Sequence, residues 1–387
     1  MNFDEVIDRR STESLKWRRY GEDVLPLWVA DMDFRCPPEV IDALHARVDH
    51  GIFGYGLVPK DLPEIVVDRM ARLYNWRISP EDVCFVPGVV TGFNLALRAV
   101  CSPGDSILFQ TPAYPPFFSA IDNASMQRVE NSLMRGADYQ YSIDFELFEK
   151  QIIDHKLKFF LLCNPQNPTG RVFTKDELLR MAKICLDHDV TICSDDIHRD
   201  LIYSGHRHIP MASLDKEIAA RTITLIAPSK TYNIAGLHAS VAIIQDPTLR
   251  QSYSRARAGL VSTPCLLSLT AARAAYLHGD VWLGEALAYL EANRDWLYTE
   301  IQNYLPGVRM AKPEGTFLAW LDCKEMNLEP SPYQFFLDNA KVGLNNGLDF
   351  GKEGQGFLRL NFGTPRSTLV EALEKMRQAL KERKKLK

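Results

Sequence analysis

Thr222-Ile223-Thr224-Leu225-Ile226-Ala227, closed by Pro228-Ser229-Lys230, is a hydrophobic, β-branched run that ends in a proline turn and a lysine. It reads as a buried strand of a parallel sheet, and Lys230 stands at its mouth. Burial there disfavours the ammonium form and lowers the pKa, which leaves an amine able to attack a carbonyl. A lysine leaving a strand for solvent has the same local sequence, so the rest of the chain must decide.

Outward from this run, short apolar segments alternate with amphipathic helical ones, the pattern of an α/β domain with a mainly parallel sheet. Val83-Cys84-Phe85-Val86, Ser106-Ile107-Leu108-Phe109, Lys158 to Cys163, and Thr191-Ile192-Cys193-Ser194 read as further strands, with Ala239 to Ile244 returning alongside. A helix after Cys163 opens with a capping box, Thr174 with Glu177. Leu283, Leu287, Leu290, Trp296 and Ile301 predict one long helix from about Val281 to Leu305, a bridge out of the sheet domain. A smaller domain follows, with strands at Thr316 to Trp320 and Gly356 to Asn361 and a last helix presenting Leu369, Leu373, Met376 and Leu380. The expected division is an N-terminal arm over 1–48 that joins the small domain, a large domain over 49–285, and the rest of the small domain over 286–387.

The chain has 387 residues, 46% of them hydrophobic, enough for a large core. A formal net charge of -4 offers no bulk attraction to nucleic acid or anionic membranes, and the basic end Lys381 to Lys387 reads as a solvated helix terminus. The eight cysteines form no CxxC pair and read as buried reduced thiols. The start has no signal-peptide pattern and no segment is apolar for long enough to span a bilayer, so a cytoplasmic location is expected. His206-Arg207-His208 lacks the acids and cysteines of a zinc site, and no metal is expected.

Each clear strand runs into an unusual polar or turn segment, and ligands of parallel α/β sheets bind at those carboxyl ends. Gly88-Val89-Val90-Thr91 opens a helix whose free N–H groups suit a phosphate. The prolines of Thr111-Pro112-Ala113-Tyr114-Pro115-Pro116 fix an extended loop and present Tyr114 either as a face for an aromatic ring or as plain packing. Asn164-Pro165-Gln166-Asn167-Pro168-Thr169-Gly170 forms a corner that aims the Asn167 amide inward or simply turns. Asp195 and Asp196 are either a solvated surface pair or a pair that requires a cation, for which a protonated heterocyclic nitrogen would serve.

Taken in order, Asn-Pro-x-Asn-Pro-Thr-Gly, Asp195 with His198, Ser229-Lys230 and Arg359-Leu360-Asn361 resemble the pyridoxal-phosphate enzymes of aminotransferase fold type I. Leu27 to Phe34, Ser194 to His198 and Ser229 to Leu237 resemble the cystathionine β-lyase, or carbon-sulfur lyase, branch of that superfamily. The resemblance covers nearly the whole chain. It implies an α/β fold with a seven-stranded, mainly parallel sheet flanked by helices, plus a smaller α+β domain. It further implies that Lys230 binds the pyridoxal 5'-phosphate covalently and later acts as base, and that Asp195 pairs with the ring nitrogen. Asn167 and His198 would surround the ring hydroxyl, and Tyr114 would stack on the ring. Val89, Val90 and Ser229 would hold the phosphate, joined by Tyr55 of a neighbouring subunit, which makes a homodimer the catalytic unit. Arg359 would grip the substrate carboxylate, with Ala30 and Tyr114 beside the substrate.

Three positions depart from the pattern: Ala227 for a phosphate-binding serine, His238 for an arginine, and Asp196 for the branch's glutamate. The implied reaction is β-elimination of cystathionine or a related cysteine S-conjugate to a thiol, pyruvate and ammonia. An aminotransferase needs the same lysine, aspartate and arginine, and a non-catalytic regulatory module could keep the fold.

Overall fold

The computed structural model describes residues 1–386, without the side chains of 384–386. At its centre lies a seven-stranded sheet. Its strands are β1 (Val83–Val86), β2 (Ser106–Thr111), β3 (Gln127–Ser132), β4 (Phe159–Cys163), β5 (Thr191–Asp195), β6 (Thr222–Ile226) and β7 (Ser240–Ile244), in the order β1-β7-β6-β5-β4-β2-β3. Only β7 runs antiparallel to its neighbours. Strands β4, β5, β6 and β7 are buried at every position, which is why they read as continuous apolar runs. Edge strand β3 was not legible in the sequence, because Gln127-Arg128-Val129-Glu130-Asn131-Ser132 faces solvent along one side and carries charge there.

Helices cover the sheet. Among them α1 (Val89–Val100) follows β1, and α2 (Lys175–Asp187) follows β4. The expected capping box is present: Thr174 Oγ1 accepts from the Glu177 amide, and Glu177 returns a carboxylate to the Thr174 amide at 2.8 Å. After β6 comes α3 (Pro228–Thr231), a single turn, and later α4 (Asp280–Tyr304), the expected long helix.

A three-stranded antiparallel sheet, ordered β8-β10-β9, lies beyond it: β8 (Leu318–Asp322), β9 (Asn345–Asn346) and β10 (Phe357–Asn361). Helix α5 (Arg366–Leu386) closes this part and buries Leu369, Leu373, Met376 and Leu380 as expected. Leu25–Pro26 pairs in parallel with Val342–Gly343, which ties the N-terminal arm to the C-terminal part.

Three expectations need correction. Pro115 and Pro116 do not extend the loop but open a helix, Pro115–Asn123, because proline is accommodated in a first helical turn. Cys265 is exposed at the start of a helix, Cys36 is half-buried, and Cys84 is half-buried because β1 is an edge strand whose first two positions are only partly covered. The basic terminus is not wholly solvated: Arg383 donates to the carbonyls of Met326 at 3.0 Å and Asn327 at 2.7 Å, while the side chains of Lys384, Lys385, Leu386 and Lys387 lie outside the described residues. No described helix is long and apolar enough to cross a membrane.

Candidate active site

The strand ends do converge. A cavity of about 520 Å³ opens at the carboxyl edge of the central sheet, and its wall includes Val89, Val90, Tyr114, Asn167, Asp195, His198, Ser229 and Lys230. Arg359 and Ala30 complete it from the C-terminal part and the N-terminal arm. Tyr55 lies elsewhere on this chain, fully exposed in an irregular segment with Ile52, Phe53 and Leu57 also exposed.

Lys230 is carried on α3, so its position depends on what grips one helical turn. Thr231 Oγ1 donates to the buried Asp200 at 2.9 Å, which joins the turn to the segment after β5. On the other side Asn233 Nδ2 donates to the carbonyls of Met32 at 2.9 Å and Phe34 at 2.7 Å, and its Oδ1 accepts from the Met32 amide. Lys230 Nζ itself donates to the Ala30 carbonyl at 2.5 Å. The side chain borders the cavity and is partly open there, but dense protein around Nζ pushes its pKa down to about 8. Asp31 and Asp195 oppose that shift, and Arg359 adds to it.

Burial also pushes the Asp195 carboxyl up to about 7, with Asp196 adding to the shift while the Ile197 amide and Lys230 pull against it. The two acids are fully buried, so the surface-pair alternative is excluded. His198 is buried with its Nδ1 unpartnered, and burial beside Lys230 and Arg359 holds it well below the ordinary histidine range. It is a neutral imidazole with an unsatisfied ring nitrogen.

Arg359 is fixed from three sides. It donates to Asn167 Oδ1 at 2.9 Å, to the Trp28 carbonyl at 2.9 Å and to Asn345 Oδ1 at 2.6 Å, while its guanidinium lies 4.8 Å from the Phe350 ring centroid. Its Nε is buried without a partner. Burial lowers its pKa to about 10, still cationic at neutral pH. Since Asn167 Oδ1 is taken, this amide offers the cavity its Nδ2 donor.

At the far end, Gly88 caps α1 with φ 107°, a conformation that favours glycine, and no side chain caps the helix. The first N–H groups of α1 are therefore free to hold an anion. His238 lines the same cavity in left-handed backbone, φ 46°. It stands where the resemblance led to an arginine, and its place on the wall was not read from the sequence. Asn345 and Phe350 were also missed. The polar Asn345-Asn346-Gly347 turn was the available signal for the first; an isolated phenylalanine gave none for the second. His208, grouped in the sequence with His206, is not at the surface but buried against Asp196.

Residues 22–376 match the family Aminotransferase class I and II. Cystathionine β-lyase PatB of Bacillus subtilis is 40% identical over 388 residues, 98% of this chain and 100% of that protein. Cystalysin of Treponema denticola, whose crystal structure contains a pyridoxal 5'-phosphate cofactor, superposes with a TM-score of 0.95 at 34% identity, over 98% of this chain and 99% of that one. The PLP-bound C-S lyase of Staphylococcus hominis gives 0.92 at 34% identity, over the same shares. This chain belongs to the class I and II aminotransferase family, in its cystathionine β-lyase branch.

Proposed function

We propose that the protein is a pyridoxal-phosphate-dependent carbon-sulfur β-lyase that converts cystathionine or a related cysteine S-conjugate to a thiol, pyruvate and ammonia. The carrying observation is the single wall that gathers a lysine of lowered pKa, a buried aspartate and a buried arginine. The cavity fits the cofactor: uncapped helix N–H groups suit its phosphate, the buried Asp195 suits a cationic ring nitrogen, and the orphan His198 Nδ1 suits a polar ring substituent.

Bound there, pyridoxal phosphate supplies the electrophilic carbonyl and the electron sink. Lys230 would bind it, Asp195 would hold the ring nitrogen, Tyr114 would stack on the ring, and Asn167 and His198 would surround the ring hydroxyl. Val89, Val90 and Ser229 would hold the phosphate together with Tyr55 of a second copy. Arg359 would clamp the α-carboxylate and thereby aim the α-hydrogen at Lys230 Nζ, the base that would take that proton. The electron pair of the breaking carbon-sulfur bond leaves on sulfur, and the Lys230 ammonium can return the proton there. Ala30 and the loop around it enclose the substrate side chain.

The reading extends to a homodimer with shared sites, a cytoplasmic location, and the division into 1–48, 49–285 and 286–387. The pairing of Leu25–Pro26 with Val342–Gly343 supports that division. An aminotransferase would use the same three residues, so one assay separates the two: L-cystathionine with no oxo-acid present. Steady release of pyruvate is expected, and turnover that requires an oxo-acid acceptor would overturn the proposal.

A further inference from the structure

Asp195 has a companion that the site does not otherwise use. Asp196 is completely buried, and its two oxygens are both occupied: Ser194 Oγ donates to Oδ1 at 2.5 Å, and His208 Nε2 lies 3.0 Å from Oδ2. The protonation of His208 follows from its other side. Asn164 accepts the Phe173 amide at Oδ1, 3.1 Å, which turns its Nδ2 donor toward His208 Nδ1 at 3.4 Å. A nitrogen that faces a donor carries no proton. His208 is therefore the neutral tautomer with hydrogen on Nε2, donating to Asp196. Both neighbours of Asp196 are donors, the environment of a carboxylate rather than a carboxylic acid. Among the described residues no lysine or arginine pairs with it.

We infer that Asp196 is a second ionised carboxylate behind Asp195, held by Ser194 and neutral His208, and that it strengthens the hold of the Asp195 and ring-nitrogen pair on its proton. Asp196 is a positioning residue that acts through Asp195, and the inference rests on Asp195 facing the cofactor ring. Two negative charges on one wall attract the pyridinium proton more strongly than one does. The same influence is visible without cofactor, since Asp196 raises the proton affinity of Asp195. The other titratable groups around the two acids are Lys230, Tyr114, Cys163 and Cys193; burial holds the phenol and both thiols in their neutral forms, so none of these three competes as an anion.

The test is the nitrogen-15 shift of labelled pyridoxal phosphate in the holoenzyme, followed against pH. In D196N the ring nitrogen should lose its proton about one pH unit lower, so that above the parent midpoint the protonated fraction, and kcat with it, falls about tenfold. D196E keeps the charge and should restore the parent titration, and S194A, a milder change, should move the midpoint the same way by less. D195N is the control. If D195N shifts the midpoint while D196N and S194A leave it at the parent value, the inference fails and the site assignment stands. If D195N leaves it unmoved as well, the assignment of Asp195 fails too.

Discussion

In the proposed function the chemistry turns on Lys230, and the environment of this residue has a consequence measurable without cofactor. Its pKa is about 8 in the fold and about 10.4 in an unfolded chain, so between those values the unfolded state binds the extra proton. Stability from this residue is thus full above the unfolded pKa and lost as pH falls through about 8. Denaturant unfolding of the apoprotein should show the parent gaining on Lys230→Met by roughly 3 kcal/mol from pH 8 to pH 10.5. Arg359→Lys keeps a charge but loses the fork, and about 1.5 to 3 kcal/mol of carboxylate binding should disappear, read chiefly as a higher KM. Residues such as Lys230, Asp195 and Asn167 were legible because each ends or follows a recognisable strand, and strand ends in a parallel sheet share an edge. Asn345, Phe350 and His238 reach the same cavity from turns whose placement depends on tertiary packing, so local pattern could not reveal them.

At the level of elements, the key device is the one-turn helix α3, too short to hold itself in place. Thr231 and Asn233 anchor it to opposite walls, the first through Asp200 and the second through the loop that contains Ala30. Asn233→Ala removes three hydrogen bonds at once and leaves the Met32 and Phe34 carbonyls without this donor. A loss of about 1 to 3 kcal/mol in denaturant unfolding is expected, together with a lower kcat because the Ala30 carbonyl no longer holds Lys230 Nζ. An unchanged kcat would remove the loop from the mechanism. The buried strands and the two long helices were readable from apolar periodicity. The pairing of Leu25–Pro26 with Val342–Gly343 was not, because two-residue strands carry no period and are made by the fold around them.

Across the whole molecule, the exposed Ile52, Phe53, Tyr55 and Leu57 give the dimer proposal its test, since a second copy is what would cover them. Tyr55→Ala and Lys230→Ala chains should each be inactive alone. Mixed and reassociated, they should recover up to about a quarter of parent activity, because one site of each mixed dimer regains both residues. A fully active monomer in sedimentation would refute the shared site. All of these expectations rest on one structural claim, that the cavity at the carboxyl edge of the sheet holds the cofactor on Lys230. Borohydride reduction of the holoenzyme fixes the cofactor to whichever amine bears it, and peptide mass analysis then locates it. The added mass should lie on the peptide containing Ser229-Lys230-Thr231; its appearance on any other lysine, with Lys230 unmodified, would contradict the account.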